Sequence, residues 1–404
     1  MPTRVTIDRN RVKQANGRPF FPIRARHMPI GAGPALLAKV GFNCMRWPAF
    51  GVDAGMIPPA PLPDDLGGLM FYPYVYNRGD LSEDAESRRR DLGHLAAQVR
   101  EHPSLLCYEQ RNEPAYTVAD HARPQTPPEG FIAGSRVIRE LDRGHPIRVG
   151  HMTCNLVSTL RGYNPGVDIV GCNPYVINHP EQRPHVGCRS DGRIVDSPNQ
   201  TLSAVGDLTT KMMRVAEGHA VWMQLQAMAT EDFFNEMDTP ENRRTGTYEH
   251  HRLFPSRWQM RFMAFNAIIR GATALEWALF KVPVDGPNWP DICRVIGELR
   301  DLHDVLCAPE WSGSLGIDYR ELGFGDWTGV ETMAKLCDGH VWILAANTQF
   351  DPMEATFSGL PEGTSLALEV FGEDRAVRVR QRSFSDRFQP YEVHVYGGQL
   401  GSAG

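Results

Sequence analysis

Leu105-Leu106-Cys107-Tyr108-Glu109-Gln110-Arg111-Asn112-Glu113-Pro114 is the stretch that decides how the chain is read. A helical pattern over Arg88 to Arg100 is broken at His102-Pro103, an apolar run follows from Leu105 to Tyr108, and the run ends in a polar tip closed by Pro114. A buried parallel strand delivers a carboxylate to its C-terminal end in this way, because proline cannot continue the ladder and the adjacent asparagine can bind either the carboxylate or a ligand hydroxyl. The plainer alternative is a strand end with a merely solvated glutamate.

Outward from this stretch the same unit repeats. Apolar strand-like runs recur at 20–25, 42–47, 69–76, 105–108, 147–152, 167–175, 221–228 and 272–280. Helical patterns at 34–40, 84–100, 130–142, 202–217 and 256–270 lie between several of them. Eight buried strands alternating with helices predict an α/β fold, a (β/α)8 TIM barrel, over residues 1–310. The connection 51–68, rich in Pro and Gly, reads as a weak helix or a loop. Before the barrel, Val5 to Ile7 and Phe20 to Ile23 read as a hairpin around Asn16-Gly17. After Trp311 the pattern changes to short alternating segments at 340–346, 365–370, 376–380 and 391–396, which predict a C-terminal antiparallel β-sandwich over 311–404 with a packing or accessory role. Residues 397–404 read as a frayed tail.

Composition narrows the function classes. A net charge of -6 without a basic block argues against nucleic acid as a partner, since phosphate binding needs clustered Lys and Arg. Arg88-Arg89-Arg90 follows Glu83, Asp84 and Glu86 and reads as a solvated, ion-paired helix face. The eight cysteines include no C-x-x-C; Cys44, Cys107 and Cys172 fall inside apolar runs and read as small core residues of a reduced protein. There is neither an apolar leader nor a run of about 18 apolar residues, so no membrane partner is expected. The chain as given reads as cytoplasmic, or as secreted or periplasmic if a leader has been removed. Homo-oligomerisation is left open, and without G-x-G-x-x-G or P-loop no cofactor is expected.

In such a barrel the chemistry sits where the strands end. Those ends carry Arg24, Arg26 and His27; Arg46-Trp47-Pro48; Tyr74, Tyr76, Asn77 and Asp80; Asn112 and Glu113; His151 and Asn155; Asn173, Tyr175 and Asn178; Gln224, Gln226, Glu231 and Asp232; and Glu276 and Trp277. Aromatic rings with amides, Arg and scattered carboxylates suit a polyhydroxylated ligand. His27, His151, His179 and His185 lack metal-ligand spacing, and sugar-binding or structural histidines are expected instead.

The barrel resembles the clan A (β/α)8 retaining glycoside hydrolases, which include cellulase-like and β-galactosidase-like enzymes. Arg46 in Met45-Arg46-Trp47-Pro48 resembles the clan's second-strand arginine, Asn112-Glu113-Pro114 its fourth-strand acid/base motif, and Tyr175 its sixth-strand tyrosine. Asn16 to Ile23 is similar to the opening segment of many such barrels, and Phe262 to Trp277 to their last helix and strand. The resemblance spans roughly residues 15–280 and implies a glycosidase with Glu113 as general acid/base and Asn112 on a sugar hydroxyl. Arg46, Trp47, Asn112, His151, Asn173, Tyr175, Gln226 and Trp277 are the expected substrate-binding residues.

The seventh strand departs from the pattern. Clan members end it with a nucleophilic glutamate, but His219 to Met228 holds no carboxylate, and a glutamine amide neither attacks an anomeric carbon nor stabilises an oxocarbenium charge. Another carboxylate can supply the second function: Glu276, or Glu231 or Asp232. Alternatively the chain binds carbohydrate without cleaving it, or Gln226 was introduced to trap a complex. The favoured reading pairs Glu113 as acid with Glu276 as base in an atypical or inverting glycosidase, because a separation of about 6.5–9.5 Å leaves room for a water. Against it stands a buried ion pair of Glu276 with Arg46 or Arg26. A transglycosylase would use the same residues. Asn235 to Arg252, with His250-His251, reads as a loop over the site, either a lid or a solvated insertion. Glu109 and Arg111 are expected to form a structural salt bridge.

Overall fold

A computed structural model describes residues 3–8, 13–47, 66–116, 124–178, 199–232, 252–319 and 329–401. Most of the 51–68 connection, His179, His185, and the 235–252 loop except its last residue lie outside these. Short strands β1 (Val5–Ile7), β2 (Lys13–Ala15) and β3 (Arg18–Phe20) form an antiparallel sheet. Asn16 (φ 53°) and Gly17 (φ 77°) make its tight turn, a geometry that asparagine and glycine tolerate. The turn therefore joins β2 to β3, and β1 pairs with β2; the sequence reading had taken the first and third strands as partners.

The eight expected barrel strands form: β4 (Ile23–Ala25), β5 (Cys44–Trp47), β6 (Met70–Pro73), β7 (Tyr108–Glu109), β8 (Ile147–His151), β9 (Ile169–Cys172), β10 (Ala220–Gln226) and β11 (Ala274–Ala278). They pair in parallel in the order β6-β5-β4-β11-β10-β9-β8-β7. Parallel bridges Phe71 to Leu105 and Tyr74 to Glu109 close the ring. Helices at Pro34–Val40, Ala85–Val99, Pro128–Leu141, Ala204–Ala216 and Arg257–Ile269 match the expected ones, and Trp289–Asp301 with His303–Cys307 completes the layer. Cys44, Cys107 and Cys172 are buried free thiols.

Strand alternation sorts the side chains. One parity faces the helices and joins the main core, as with Met45, Val149, Leu225 and Leu275. The other parity fills the barrel and is unusually polar, with Arg24, Tyr72, Glu109, Arg148, Trp222 and Glu276 all completely buried.

Beyond the barrel, strands β12 (Gly316–Tyr319), β15 (Met353–Ser358) and β18 (Phe384–Phe388) make one antiparallel sheet. Strands β13 (Val330–Cys337), β14 (His340–Asn347), β19 (Val393–Gln399), β16 (Ala367–Val370) and β17 (Ala376–Arg378) make another. Phe357, Phe384 and Phe388 of the first share a core with Ile343, Val370 and Tyr396 of the second. Strand β19 runs to Gln399, and Gly401 N donates to Gly363 O at 2.9 Å, so the tail does not fray at 397 as expected. Asn266 donates to Glu331 at 2.9 Å and Lys335 to the carbonyl of Ala308 at 2.6 Å, fastening the larger sheet to the barrel's helices.

Candidate functional site

The end of β7 turns sharply. Glu113 takes a left-handed backbone angle (φ 54°), unusual for a residue with a side chain, and its N–H donates to Gly150 O at 2.6 Å. Asn173, just past β9, donates from Nδ2 to Glu113 Oε1 at 2.6 Å. Gly150 permits this crowding: a Cβ there would lie 2.6 Å from Asn112 Oδ1. Among the described residues, Asn112 Oδ1 and Asn173 Oδ1 are buried acceptors without a donor. Tyr74 stacks beneath the Arg46 guanidinium (4.9 Å to the ring centre) and its hydroxyl accepts from Asn112 N at 3.4 Å. Tyr175, past β9, takes a hydrogen bond from Gln224 Nε2. Burial raises the Tyr175 pKa, Arg26 opposes that rise, and the charges of Glu113 and Glu276 add to it, so the phenol stays protonated. Arg46, Asn112, Glu113, Asn173 and Tyr175 thus gather at the C-terminal end of the barrel.

Glu276 does not join them. It is fully buried, with Oε1 3.1 Å from Arg24 and bonded by the Tyr72 hydroxyl, and with Oε2 3.0 Å from Arg148 and 3.3 Å from Arg26. Burial alone would raise its pKa, but Arg148, Arg24 and Arg26 outweigh burial and hold it well below the usual carboxylate range. A carboxylate with both oxygens engaged and three guanidiniums around it is a poor proton acceptor. The Arg26 pairing foreseen as the alternative is what forms, widened to a network. Glu109 belongs to it as well, at 2.9 Å from Arg26 and 2.8 Å from Arg148, rather than pairing with Arg111. Arg111 instead stacks on Tyr76 at 4.5 Å. Arg24 lies between the rings of Tyr72 (3.7 Å) and Trp222 (4.3 Å). Sequence reading missed Arg148, Tyr72 and Trp222; the signal available was a charge or aromatic ring at one parity inside otherwise apolar runs.

Four other expected binding residues are placed away from a ligand. Trp47 (6 % exposed) and Trp277 (0 %) have the outward parity and pack in the helix-facing core. His151 has that parity too; it is buried against Tyr163, ring centres 5.9 Å apart. Gln226 is spent on backbone: its Nε2 donates to Ile177 O (2.7 Å) and Met228 O (3.2 Å), and its Oε1 accepts from Ile177 N (2.9 Å). It pins the segment after β9. Beyond β10, Asp232 pairs with Arg252 at 2.6 Å, while fully buried Glu231 accepts from Leu253 N at 3.4 Å and, among the described residues, keeps Oε1 without a donor.

No protein-family model matches the chain, and no curated protein does. Its fold is that of glycoside hydrolase barrels. A glycoside hydrolase family 5 structure from Bacteroides vulgatus superposes with a TM-score of 0.57 at 9 % identity, covering 98 % of this chain and 93 % of that one. An α-amylase from Geobacillus thermoleovorans complexed with acarbose gives 0.56 at 9 %, covering 94 % and 98 %. A glycoside hydrolase family 30 xylanase from Clostridium acetobutylicum gives 0.50 at 10 %, covering 94 % and 96 %. Among the described residues, no helix is long and apolar enough to cross a membrane.

Proposed function

We propose that the chain is a glycosidase that cleaves an O-glycosidic bond with Glu113 as general acid. The observation that carries this reading is the Glu113 carboxylate, held by Asn173 at 2.6 Å on a left-handed turn at the mouth of the barrel. Orphaned acceptors on Asn112 and Asn173 suit sugar hydroxyls, and Arg46 and Tyr175 close the same mouth. The acid protonates the leaving oxygen. The second role does not fall to β10, whose two inward glutamines cannot form a glycosyl ester, nor to Glu276. We assign it to Glu231, whose Oε1 has no donor among the described residues; as a base acting through a water it would invert the anomeric centre.

One observation favours a second reading, a carbohydrate-binding protein without turnover: amides occupy the seventh strand where the resemblance calls for a nucleophile. Hydrolysis of a panel of aryl glycosides and oligosaccharides by the wild type, Glu113→Gln and Glu231→Gln separates the two, with NMR of the first anomer released. Turnover lost in both variants with an inverted product supports the proposal. Turnover lost in Glu113→Gln alone moves the second role to the substrate's own groups. Sugar binding without any turnover replaces the glycosidase by the binding protein.

A further inference from the structure

The face of the barrel opposite Glu113 carries a second constellation. The helix Pro128–Leu141 brings Arg136 and Arg139 one turn apart on its surface, and Asp142-Arg143-Gly144-His145 leads from it into β8. Asp142 organises that turn: Oδ1 accepts from Gly144 N at 2.8 Å, while Oδ2 accepts from the Tyr108 hydroxyl at 2.8 Å and lies 2.8 Å from His145 Nδ1. Burial works to raise the Asp142 pKa, but the His145 contact, with Tyr108 and Gly144, holds it below its ordinary value. An ionised Asp142 only accepts, so His145 turns a protonated Nδ1 toward it and leaves Nε2 for another partner. That side chain is 2 % exposed, and Nε2 has no partner among the described residues.

His145 lines a cavity of about 650 Å³ whose apolar wall comes from Val5, Ile7 and Pro146. Val5 N donates to Gly144 O at 3.1 Å, so the N-terminal sheet forms part of the enclosure. Arg136, Arg139 and Arg143 also line it. The carboxylates there are already engaged: Asp168 with Arg139 (3.1 Å) and Ile147 N (2.8 Å), Glu140 with Arg89 (3.7 Å), and Asp142 as above. Among the described residues Arg136 and Arg143 have no carboxylate partner. Among the described residues the cavity thus offers two guanidiniums without a carboxylate partner and one oriented imidazole nitrogen, Nε2.

We propose that this cavity binds a small hydroxylated oxyanion, a phosphate or carboxylate held by Arg136 and Arg143 with a ligand hydroxyl hydrogen-bonded to His145 Nε2. Guanidinium forks match both headgroups, and the imidazole adds a hydrogen bond to a ligand hydroxyl. The site is independent of the glycosidase reading, because it lies at the N-terminal ends of β8 and β9.

Calorimetric titration of the full chain with glucose 6-phosphate, gluconate, inorganic phosphate and glucose tests it, in the wild type, Arg136→Ala, Arg143→Ala and His145→Gln. Saturable binding of glucose 6-phosphate or gluconate is expected, weakened more than tenfold by either arginine substitution and left unchanged by Glu113→Gln. Whichever of the two binds tighter identifies the headgroup. Both arginines are exposed, so their variants fold even if the His145 variant does not. Absence of saturable binding by any oxyanion, or binding that survives both arginine substitutions, overturns the proposal.

Discussion

Asn173 donates to Glu113 across 2.6 Å, tying the ends of the fourth and sixth barrel strands together at a carboxylate that projects from a left-handed backbone turn. If Glu113 supplies the proton, Glu113→Gln lowers kcat/KM by about 10²–10⁴-fold on poor leaving groups, with a much smaller loss on activated aryl glycosides that depart unprotonated. Asn173→Ala removes the hydrogen bond that holds the Glu113 carboxyl group and is expected to cost about tenfold in kcat. Steady-state kinetics across a series of leaving groups checks both. Equal losses on all leaving groups would remove Glu113 from the acid role.

Glu276 predicts a stability effect instead. Removing one partner of a buried ion cluster leaves the others uncompensated, so Glu276→Gln is expected to destabilise the fold by about 3–5 kcal/mol in denaturant titrations. The sign with pH follows from the depressed carboxyl pKa. The contribution is complete above the ordinary value of 4.5 and is lost as pH falls below it toward the folded value. The gap between wild type and Glu276→Gln therefore narrows on acidification. A gap constant with pH would contradict the ion-pair assignment.

The two glutamines of β10 respond differently to a carboxylate. Gln226→Glu places an anion against the carbonyls of Ile177 and Met228 and loses both donated bonds, an expected cost of about 2 kcal/mol or more. Gln224 faces the Tyr175 hydroxyl, which can turn and donate, and the barrel interior holds three arginines, Arg24, Arg26 and Arg148, against Glu109 and Glu276. Gln224→Glu is expected to fold with a melting temperature near the wild type's. Thermal scans and hydrogen exchange over 173–178 distinguish the two, and equal tolerance would sink the pinning role of Gln226.

The eight strands were legible because Pro and Gly punctuate apolar runs of strand length, and the polar tip of β7 marked its C-terminal end. What escaped was parity. Trp47, His151 and Trp277 were chosen by chemistry and place along the strand, yet each shares the parity of core residues such as Met45, Val149 and Leu275. Arg24, Arg148 and Glu276 share the opposite parity, and a buried charge at a fixed parity in neighbouring strands is the mark of an interior ion network. In the C-terminal sheets, β18 escaped because Ser385-Asp386-Arg387 dilutes its apolar residues, and β13 because its burial does not alternate cleanly.

His151 gives a test that separates core from site. Burial, with Lys211 and Arg148 nearby, pushes its pKa down to about 3, and neither ring nitrogen has a hydrogen-bond partner among the described residues. A histidine depressed below its unfolded value of about 6.5 binds fewer protons when folded, so its contribution is complete above that pH and is lost on acidification through the window down to about 3, by up to about 1.4 kcal/mol per pH unit. His151→Phe keeps an aromatic ring against Tyr163 and removes the titration. Its unfolding free energy should therefore fall less steeply than the wild type's between about pH 6 and pH 4, with KM for any glycoside unchanged. A KM raised severalfold with an unaltered acid limb would return His151 to the substrate.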